Sequence, residues 1–265
     1  MPLSFPDASL TTRPWLAYRE MFLGLVEREV RARYRGSFLG FLWSLLNPLL
    51  LMGIYSLVFA VVMRIQVPHY ALMLFAGLLP WTWFSTSLAN GTASITANAN
   101  LIKKVYFPLE ILPLVSVSTN WVNFLFSLPV LGLFLAWEGL GPGWAILSLP
   151  LLMALQFLLT LGVSLILATL NAFYKDVEQL LGPVLMAWFY ITPVVYPLSM
   201  LPADYAWLVH VNPMAPLVSA YQDLFLKGQW PGSPALALAA IEAIVIALLG
   251  LIFFRRRKFI FAEVV

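Results

Sequence analysis

Four arginines lie within eight residues near the start of the chain: Arg28, Arg31, Arg33 and Arg35. A guanidinium group is a planar fork of donors that matches phosphate oxygens, so this cluster is suited to binding a pyrophosphate. The same charges would also bind anionic lipid headgroups and fix the orientation of the chain in a membrane. The sequence leaves both interpretations open.

Few other side chains are placed to do chemistry. Glu242 is the one carboxylate inside a predicted membrane span and has no obvious cationic partner, while Glu110 and Glu138 lie at predicted helix ends. His69 and His210 form no pair with metal-ligand spacing, and the chain has neither cysteine nor a G-x-x-x-x-G-K-[ST] phosphate-binding loop. We therefore expect no catalytic residue, metal or cofactor in this chain. If ATP is used, a separate subunit must bind it.

The composition indicates a membrane protein built of helices. Of the 265 residues, 62% are hydrophobic and only 10% are charged, which leaves too little polar surface for a soluble domain of this size. The apolar runs are continuous rather than alternating, so we expect an all-α membrane protein. Residues 1–14 lack the short apolar core of a removable signal peptide.

The apolar runs and the residues that interrupt them predict the order of elements. Six transmembrane helices are predicted at about residues 38–63, 70–89, 111–137, 144–173, 180–196 and 234–254. An amphipathic helix over residues 15–35 is expected to lie in the membrane interface before the first span. Residues 197–233 are too polar to cross the membrane and predict short re-entrant helices at the outer face.

The distribution of positive charge predicts the orientation of these spans. With six spans, 13 of the 15 lysines and arginines fall on one face, and only Arg64 and Lys227 fall on the other. Because loops rich in lysine and arginine stay in the cytoplasm, we expect both termini to be cytoplasmic.

Ordered sequence motifs link the chain to a known family. Residues 33–48 read RYRGSFLGFLWSLLNP, which resembles the signature opening of ABC-2 type permeases, in particular those that export O-antigen and related cell-surface polysaccharides. Four further segments match in the family's order: FPLEILP at 107–113, YKDV at 174–177, TPVVYP at 192–197 and NPMAP at 212–216. One departure is Lys175, where the family more often has arginine, so a bidentate contact would be lost there.

The resemblance implies a function and a set of partners. It implies the transmembrane half of an ABC exporter in the bacterial inner membrane, acting as a homodimer with two copies of a separate subunit that binds ATP and magnesium. The substrate would be a lipid-linked polysaccharide of the O-antigen type. Export of teichoic acid, capsular polysaccharide, drugs or lipids by the same architecture stays open. Membrane lipid is an expected partner, and nucleic acid is not.

The resemblance also implies a coupling helix at residues 98–108 that docks on the ATP-binding subunit. The alternative interpretation of residues 98–108 is a basic turn in the membrane interface. The charged residues at 174–178 are either a second coupling contact or a solvated charge cluster. The candidate coupling residues are Asn98, Leu101, Lys103, Lys104, Tyr106, Phe107, Lys175, Asp176 and Glu178.

A translocation channel for sugars is expected along the first and fifth spans, where the family places it. Aromatic rings can stack on the C–H faces of sugars, although most aromatic residues of a membrane protein contact lipid or neighbouring helices. The channel candidates are Phe38, Phe41, Trp43, Asn47, Tyr55, Phe59, Trp188, Phe189, Tyr190 and Tyr196. Pro183, Pro193 and Pro197 should make the fifth span irregular, and with residues 197–233 they predict an outer gate.

Overall fold

The computed structural model describes residues 14–34, 40–64, 67–104, 107–205 and 207–264. All regular secondary structure in these ranges is helical, which confirms the predicted all-α class. The α-helices are α1 (Pro14–Tyr34), α2 (Trp43–Tyr55), α3 (Tyr70–Ala97), α4 (Ala99–Lys104), α5 (Ile111–Trp137), α6 (Leu149–Phe173), α7 (Asp176–Ile191), α8 (Trp207–Val211), α9 (Met214–Lys227), α10 (Pro234–Arg257) and α11 (Phe261–Val264). A π-helix, Ser56–Val62, continues α2, and short 3-10 helices occupy Gly40–Leu42, Gly143–Ser148, Leu198–Met200, Ala203–Tyr205 and Lys258–Ile260.

Five helical segments within these ranges are long and apolar enough to cross a membrane. They are Leu45–Val62, Tyr70–Ala97, Ile111–Trp137, Gly143–Phe173 and Pro234–Ile260. The predicted span at 180–196 is not among them, because α7 has 16 residues and would extend only about 24 Å, short of a hydrocarbon core of about 30 Å. The chain is thus a multi-pass membrane protein, while six spans and their orientation stay predictions.

The second span is longer than predicted. The loss of hydrophobicity after Ala89 indicated an end there, but α3 continues to Ala97. Thr92 and Ser94 remain inside the helix because their hydroxyls donate to the carbonyls of Leu88 and Gly91, both at 2.6 Å. Such back-bonding satisfies a polar side chain without breaking the helix, so hydropathy alone gave the wrong boundary.

Helix α3 is the centre of the molecule. It packs against α5, α6 and α9, and 19 of its 28 residues are buried, whereas only 6% of Leu45–Val62 are buried. Helix α9, in the segment predicted as short re-entrant helices, contributes fully buried Leu217, Tyr221 and Leu224 to the same core. The segment after α7 is therefore partly an integral element of the helix bundle.

Helices α6 and α10 approach each other through glycines. A Cβ atom added at Gly250 would lie 2.3 Å from the carbonyl oxygen of Gly162, and one added at Gly162 would lie 2.6 Å from the Cα of Ala247. Small residues let two membrane helices pack backbone to backbone without a large apolar driving force. This contact fixes α10 against the core of the bundle.

The ends of the long helices gather at two ends of this bundle. We call one the basic end, which comprises residues 98–104, 107–110, 171–178 and 255–264. The opposite end comprises residues 64, 67–70, 137–145, 192–205 and 207–213, and His69 Nδ1 there lies 3.0 Å from Glu138 Oε2. Arg64 lies at this opposite end, and Lys227 lines a cavity with His69. Among the described residues, Lys103, Lys104, Lys175 and the cations at 255–258 lie at the basic end.

Candidate functional site

Helix α4 is a short surface helix at the basic end. It spans six residues, so the helical part of the predicted 98–108 segment is shorter than expected. Asn98 separates it from α3, and the Asn98 carbonyl accepts from the Leu101 N–H at 2.9 Å. Lys103 and Lys104 are exposed, while Leu101 is half-buried against the bundle. The helix thus presents cations outward on an apolar base.

An apolar cluster lies beneath α4 and joins the helices of the basic end. We call it the basic-end cluster; it comprises Ile95, Phe107, Leu112, Leu165, Ala168, Ala172, Phe254 and Phe261. Phe107, a candidate coupling residue, is buried in this cluster, so it can act on α4 only through packing and not through direct contact with a partner. Tyr106 lies outside the described residues.

The charged connection between α6 and α7 is anchored by a buried amide. Lys175, Asp176 and Glu178 are exposed, and the two carboxylates lie in the first turn of α7, where they stabilise its positive N-terminal dipole. Asn171 donates from Nδ2 to the Thr92 carbonyl at 3.1 Å and accepts from the Glu178 N–H at 3.2 Å. The connection is therefore tied directly to the polar part of α3.

The arginine cluster is divided by the fold. Arg28 lines a cavity of about 450 Å³ between α1, α3 and α5, together with Asn90 and Asn98. Arg31 is exposed and forms an ion pair with Glu27. Arg33 belongs to α1 but its side chain is not described, and Arg35 lies outside the described residues. Leu25, buried against Ile111 and Val115, attaches α1 to α5.

The aromatic channel candidates fall into a packed group and an exposed group. Tyr55 stacks on Phe189 with centroids 5.6 Å apart, and lies 6.3 Å from Phe59. Phe189 is only 7% exposed, and Trp188 packs edge-on against Phe84 at 5.1 Å. These rings contact neighbouring helices.

Trp43, Asn47 and Tyr190 are exposed in the single chain, and so remain able to contact a substrate. Tyr196 donates from its hydroxyl to the Tyr190 carbonyl at 3.1 Å, which holds it over the end of α7. Phe38 lies outside the described residues, and the Phe41 side chain is not described.

The prolines expected to form a gate lie along and just after α7. Pro183 is inside α7, which continues past it to Ile191, while Pro193 is buried and Pro197 has an extended backbone. The turn between Pro193 and Pro197 is fixed by side chains from helices α3 and α9. The Tyr70 hydroxyl donates to the Val195 carbonyl at 2.7 Å, and Gln222 Nε2 donates to the Pro193 carbonyl at 3.2 Å.

Asn212 is the centre of a hydrogen-bond network at this turn. Its Oδ1 accepts from Trp188 Nε1 at 2.7 Å and from the Met214 backbone N–H at 3.1 Å. Its Nδ2 donates to Thr192 Oγ1 at 2.9 Å. We call these four residues the Asn212 network. One buried amide thereby joins the end of α7, the turn after it and the start of α9.

A model of the ABC-2 type transporter family matches residues 20–226, most of the chain. The chain belongs to the ABC-2 type transporter family. It is 41% identical to the O-antigen export system permease protein RfbA of Myxococcus xanthus over 91% of this chain and 94% of that protein. The Klebsiella pneumoniae protein of the same name is 36% identical over 92% and 95%. The polysialic acid transport protein KpsM of Escherichia coli is 24% identical over 87% and 91%.

Membership of the family makes this chain the membrane subunit of a transporter rather than an enzyme. ABC-2 transporters work with ATP-binding subunits, which fits a chain without a phosphate-binding loop. Two surfaces of this ABC-2 chain that carry exposed charge next to buried anchors are α4 and the connection at 174–178. Both lie at the basic end, close to the same apolar cluster.

Sequence reasoning about this ABC-2 chain missed two anchors. Asn171 and Gln222 are buried amides whose partners lie 79 and 149 residues away along the chain, on α3. An amide in a mostly apolar segment signals that it has a partner, because an unpaired one is costly in hydrocarbon. The identity of that partner required the fold.

Proposed function

We propose that this chain is the permease of an ATP-driven exporter that moves a lipid-linked polysaccharide of the O-antigen type out of the cytoplasm. Two copies would form the channel in the bacterial inner membrane, and two ATP-binding subunits, each using ATP and magnesium, would drive it. The observation that carries this proposal is the 41% identity, over nearly the whole of both chains, to a protein named as an O-antigen export permease.

Capsular polysaccharide is the second candidate substrate. The similarity to the polysialic acid transport protein favours it, but at 24% identity the relation is more distant. Both candidate substrates are long sugar polymers.

The basic end is proposed to face the cytoplasm and to receive the ATP-binding subunits. The exposed cations Lys103 and Lys104 on α4 and the charges at Lys175, Asp176 and Glu178 would form the contact. This assignment agrees with the positive-inside rule. Because α4 rests on the basic-end cluster, a push on it would be transmitted to α3, α5, α6 and α10.

Arg28 and the other arginines of the cluster are proposed to recruit the phosphate-bearing end of the lipid carrier. Arg28 lines the cavity beside the polar end of α3, where Asn90 and Asn98 add hydrogen-bonding groups. A guanidinium there could contact phosphate oxygens while the apolar chain of the carrier stays in lipid. The pairing of Arg31 with Glu27 makes Arg31 a weaker candidate for this role.

The channel is proposed to run along the exposed faces of α2 and α7, covered by a second copy of the chain. Only 6% of Leu45–Val62 is buried within one chain, which leaves this helix available to line a dimeric pathway. Trp43, Asn47 and Tyr190 would contact the sugar, with Tyr55 and Phe59 behind them. Movement of α7, Pro183 and the turn from Pro193 to Pro197 would open the outer gate.

The test is ATP turnover by the chain reconstituted in lipid with its ATP-binding subunit, with and without an undecaprenyl-linked glycan. We expect the glycan to stimulate ATP turnover. In the Lys103→Glu/Lys104→Glu variant the glycan-stimulated turnover should be about tenfold lower, because the charges of the docking surface are reversed. The matched control is Arg64→Glu/Lys227→Glu, which reverses two charges at the opposite end and should retain stimulation. Stimulation by apolar drugs instead of the glycan would overturn the polysaccharide assignment.

A further inference from the structure

The last residues of the chain fold back onto the basic end instead of extending away from α10. After α10, a 3-10 turn and α11 return the chain toward α4 and α6, both of which α11 contacts. Phe261 is fully buried there, with its ring centroid 5.2 Å from Phe254 and 6.0 Å from Phe173. This ring belongs to the same apolar cluster on which α4 rests.

A second contact joins the C-terminal segment to the residues that follow α4. Glu110 Oε1 accepts from Lys258 Nζ at 3.0 Å and from Arg255 Nε at 3.3 Å. The Glu110 side chain is only 17% exposed, and its other oxygen is buried with no hydrogen-bond partner among the described atoms. The two cations therefore determine where this carboxylate lies.

The two faces of the C-terminal segment differ sharply. Phe261 is buried, whereas Phe259, two residues earlier, is 79% exposed. Arg256 and Arg257 are also exposed. The segment thus has one face that packs on the bundle and one that does not, and each face carries a phenylalanine that can be removed separately.

Helix α4 needs such support because a six-residue helix is unstable alone. Nucleating a helix costs more conformational free energy than one turn of hydrogen bonds contributes. A helix as short as α4 is therefore stable only when it packs against the rest of the protein. Its half-buried residues Leu101 and Ile102 pack on the basic-end cluster, to which Phe261 contributes a whole ring. Without that ring, the base under α4 would contain a cavity.

We infer that residues 255–264 form a C-terminal clasp. Buried Phe261 supports α4 from below, and the contacts of Glu110 with Lys258 and Arg255 attach the residues that follow α4 to the end of α10. Phe261 and Glu110 are then positioning residues: they make a displacement of α4 move α10 and α6 with it. The inference rests on the proposed function, in which α4 receives the ATP-binding subunit.

A spin label on α4 tests the clasp without any substrate. The chain contains no cysteine, so Lys104→Cys gives a single labelling site in the full chain reconstituted in lipid. We expect Phe261→Ala to raise the mobility of the label, measured by electron paramagnetic resonance, several times more than Phe259→Ala, which removes only an exposed ring 5.7 Å from Lys258 Nζ. Unchanged mobility in Phe261→Ala, or an equal rise in both variants, would overturn the inference.

Coupling is measured in separate vesicles that contain the unlabelled chain with its native Lys104, the ATP-binding subunit and the undecaprenyl-linked glycan. We expect Phe261→Ala to lower the glycan exported per ATP hydrolysed by about tenfold, the size typical of a lost coupling contact, while the subunit still binds and hydrolyses ATP. Phe261→Leu, which keeps an apolar group in the cluster, should restore most of the coupling. An unchanged ratio in Phe261→Ala would contradict the clasp.

The ion-pair side of the clasp gives a variant that retains the packing of the cluster. If Phe261→Ala does not fold, Glu110→Cys/Lys258→Cys keeps every aromatic ring and removes the ion pair together with the outer part of both side chains. We expect this pair to uncouple export and a short bis-maleimide crosslink between the two cysteines to restore it. Failure of the crosslink to restore coupling would overturn the clasp. A wild-type chain that ignores the glycan would instead overturn the proposed function, while the spin-label result would still decide the clasp.

Discussion

The two ends of the bundle are held by different kinds of contact. At the opposite end, the turn after α7 is fixed by neutral hydrogen bonds among the buried or half-buried groups of the Asn212 network. At the basic end, α4 and the C-terminal segment rest on an apolar cluster and on the partly exposed contacts of Glu110 with Lys258 and Arg255. Both ends contain irregular backbone among the described residues, and at the opposite end residues 192–195 of the turn after α7 are all buried.

This difference follows from what each environment demands. Irregular backbone at membrane depth must find its hydrogen-bond partners within the protein, and those bonds are directional, so the turn after α7 has one geometry. Apolar packing is not directional, and a cluster can shift as a unit while it stays buried. The basic end is therefore suited to receiving a displacement, and the opposite end to switching between defined positions.

Substitution of Asn212 should have the largest effect on stability. Asn212→Leu keeps the size of the side chain but leaves the Trp188 indole N–H and the Met214 backbone N–H without an acceptor. Since an unsatisfied buried donor costs about 1–3 kcal/mol, we expect the free energy of unfolding to fall by about 3 kcal/mol. Denaturation in mixed micelles would measure this loss.

The control for Asn212 is an amide that the fold leaves exposed. Asn47 lies on the exposed face of α2, so Asn47→Leu should change the free energy of unfolding by about 0.5 kcal/mol or less. Equal losses in the two variants would show that the network does not hold the opposite end more firmly than ordinary surface contacts do.

The contacts of Glu110 should give the basic end a smaller contribution that depends on pH. Burial raises the pKa of Glu110, but hydrogen bonds from its own backbone N–H and from Lys258 and Arg255 outweigh it, so the pKa lies below its ordinary value. A lowered pKa means that the stabilisation is complete above the unfolded-state value, about 4.3, and is lost as the pH falls through the folded-state value.

Comparison of the wild type with Glu110→Gln tests this contribution. At pH 7 we expect the variant to be less stable by about 1 kcal/mol, the size of a partly exposed ion pair. As the pH falls below about 4.3 the difference should shrink, because the unfolded wild-type chain then binds a proton at this carboxylate more readily than the folded chain does. A difference that stayed constant between pH 7 and pH 3 would mean that the ionised carboxylate does not stabilise the basic end.

The sequence predicted the helices of this bundle better than it predicted what holds them. The starts of α3 and α5 matched, since Pro68 and Pro108 interrupt the chain just before them. Hydropathy failed at the end of α3 because it scores Thr92 and Ser94 as polar, although the helix backbone satisfies both hydroxyls. Local pattern therefore found the elements and misjudged their limits.

Contacts between distant residues were beyond sequence reasoning for a physical reason. Apolar side chains suit lipid and protein core equally well in a membrane, so the sequence could not distinguish buried α9 from an interfacial helix. The last predicted span ends at about residue 254, and nothing in the local pattern after it indicated that Phe261 would be buried while Phe259 would be exposed. The coupling role of α4 and the channel role of α2 stay predictions, because they concern partners outside this chain.

The smallest effect should come from a charge pair that shares the opposite end with the Asn212 network. His69 and Glu138 lie 3.0 Å apart, but their side chains are 38% and 47% exposed. Water screens such a pair, so Glu138→Gln should change the free energy of unfolding by only about 0.3 kcal/mol in the same denaturation assay. If Glu138→Gln cost as much as Asn212→Leu, position at this end rather than burial would decide stability. The difference in stability between the two ends would then not follow from the burial of their hydrogen bonds.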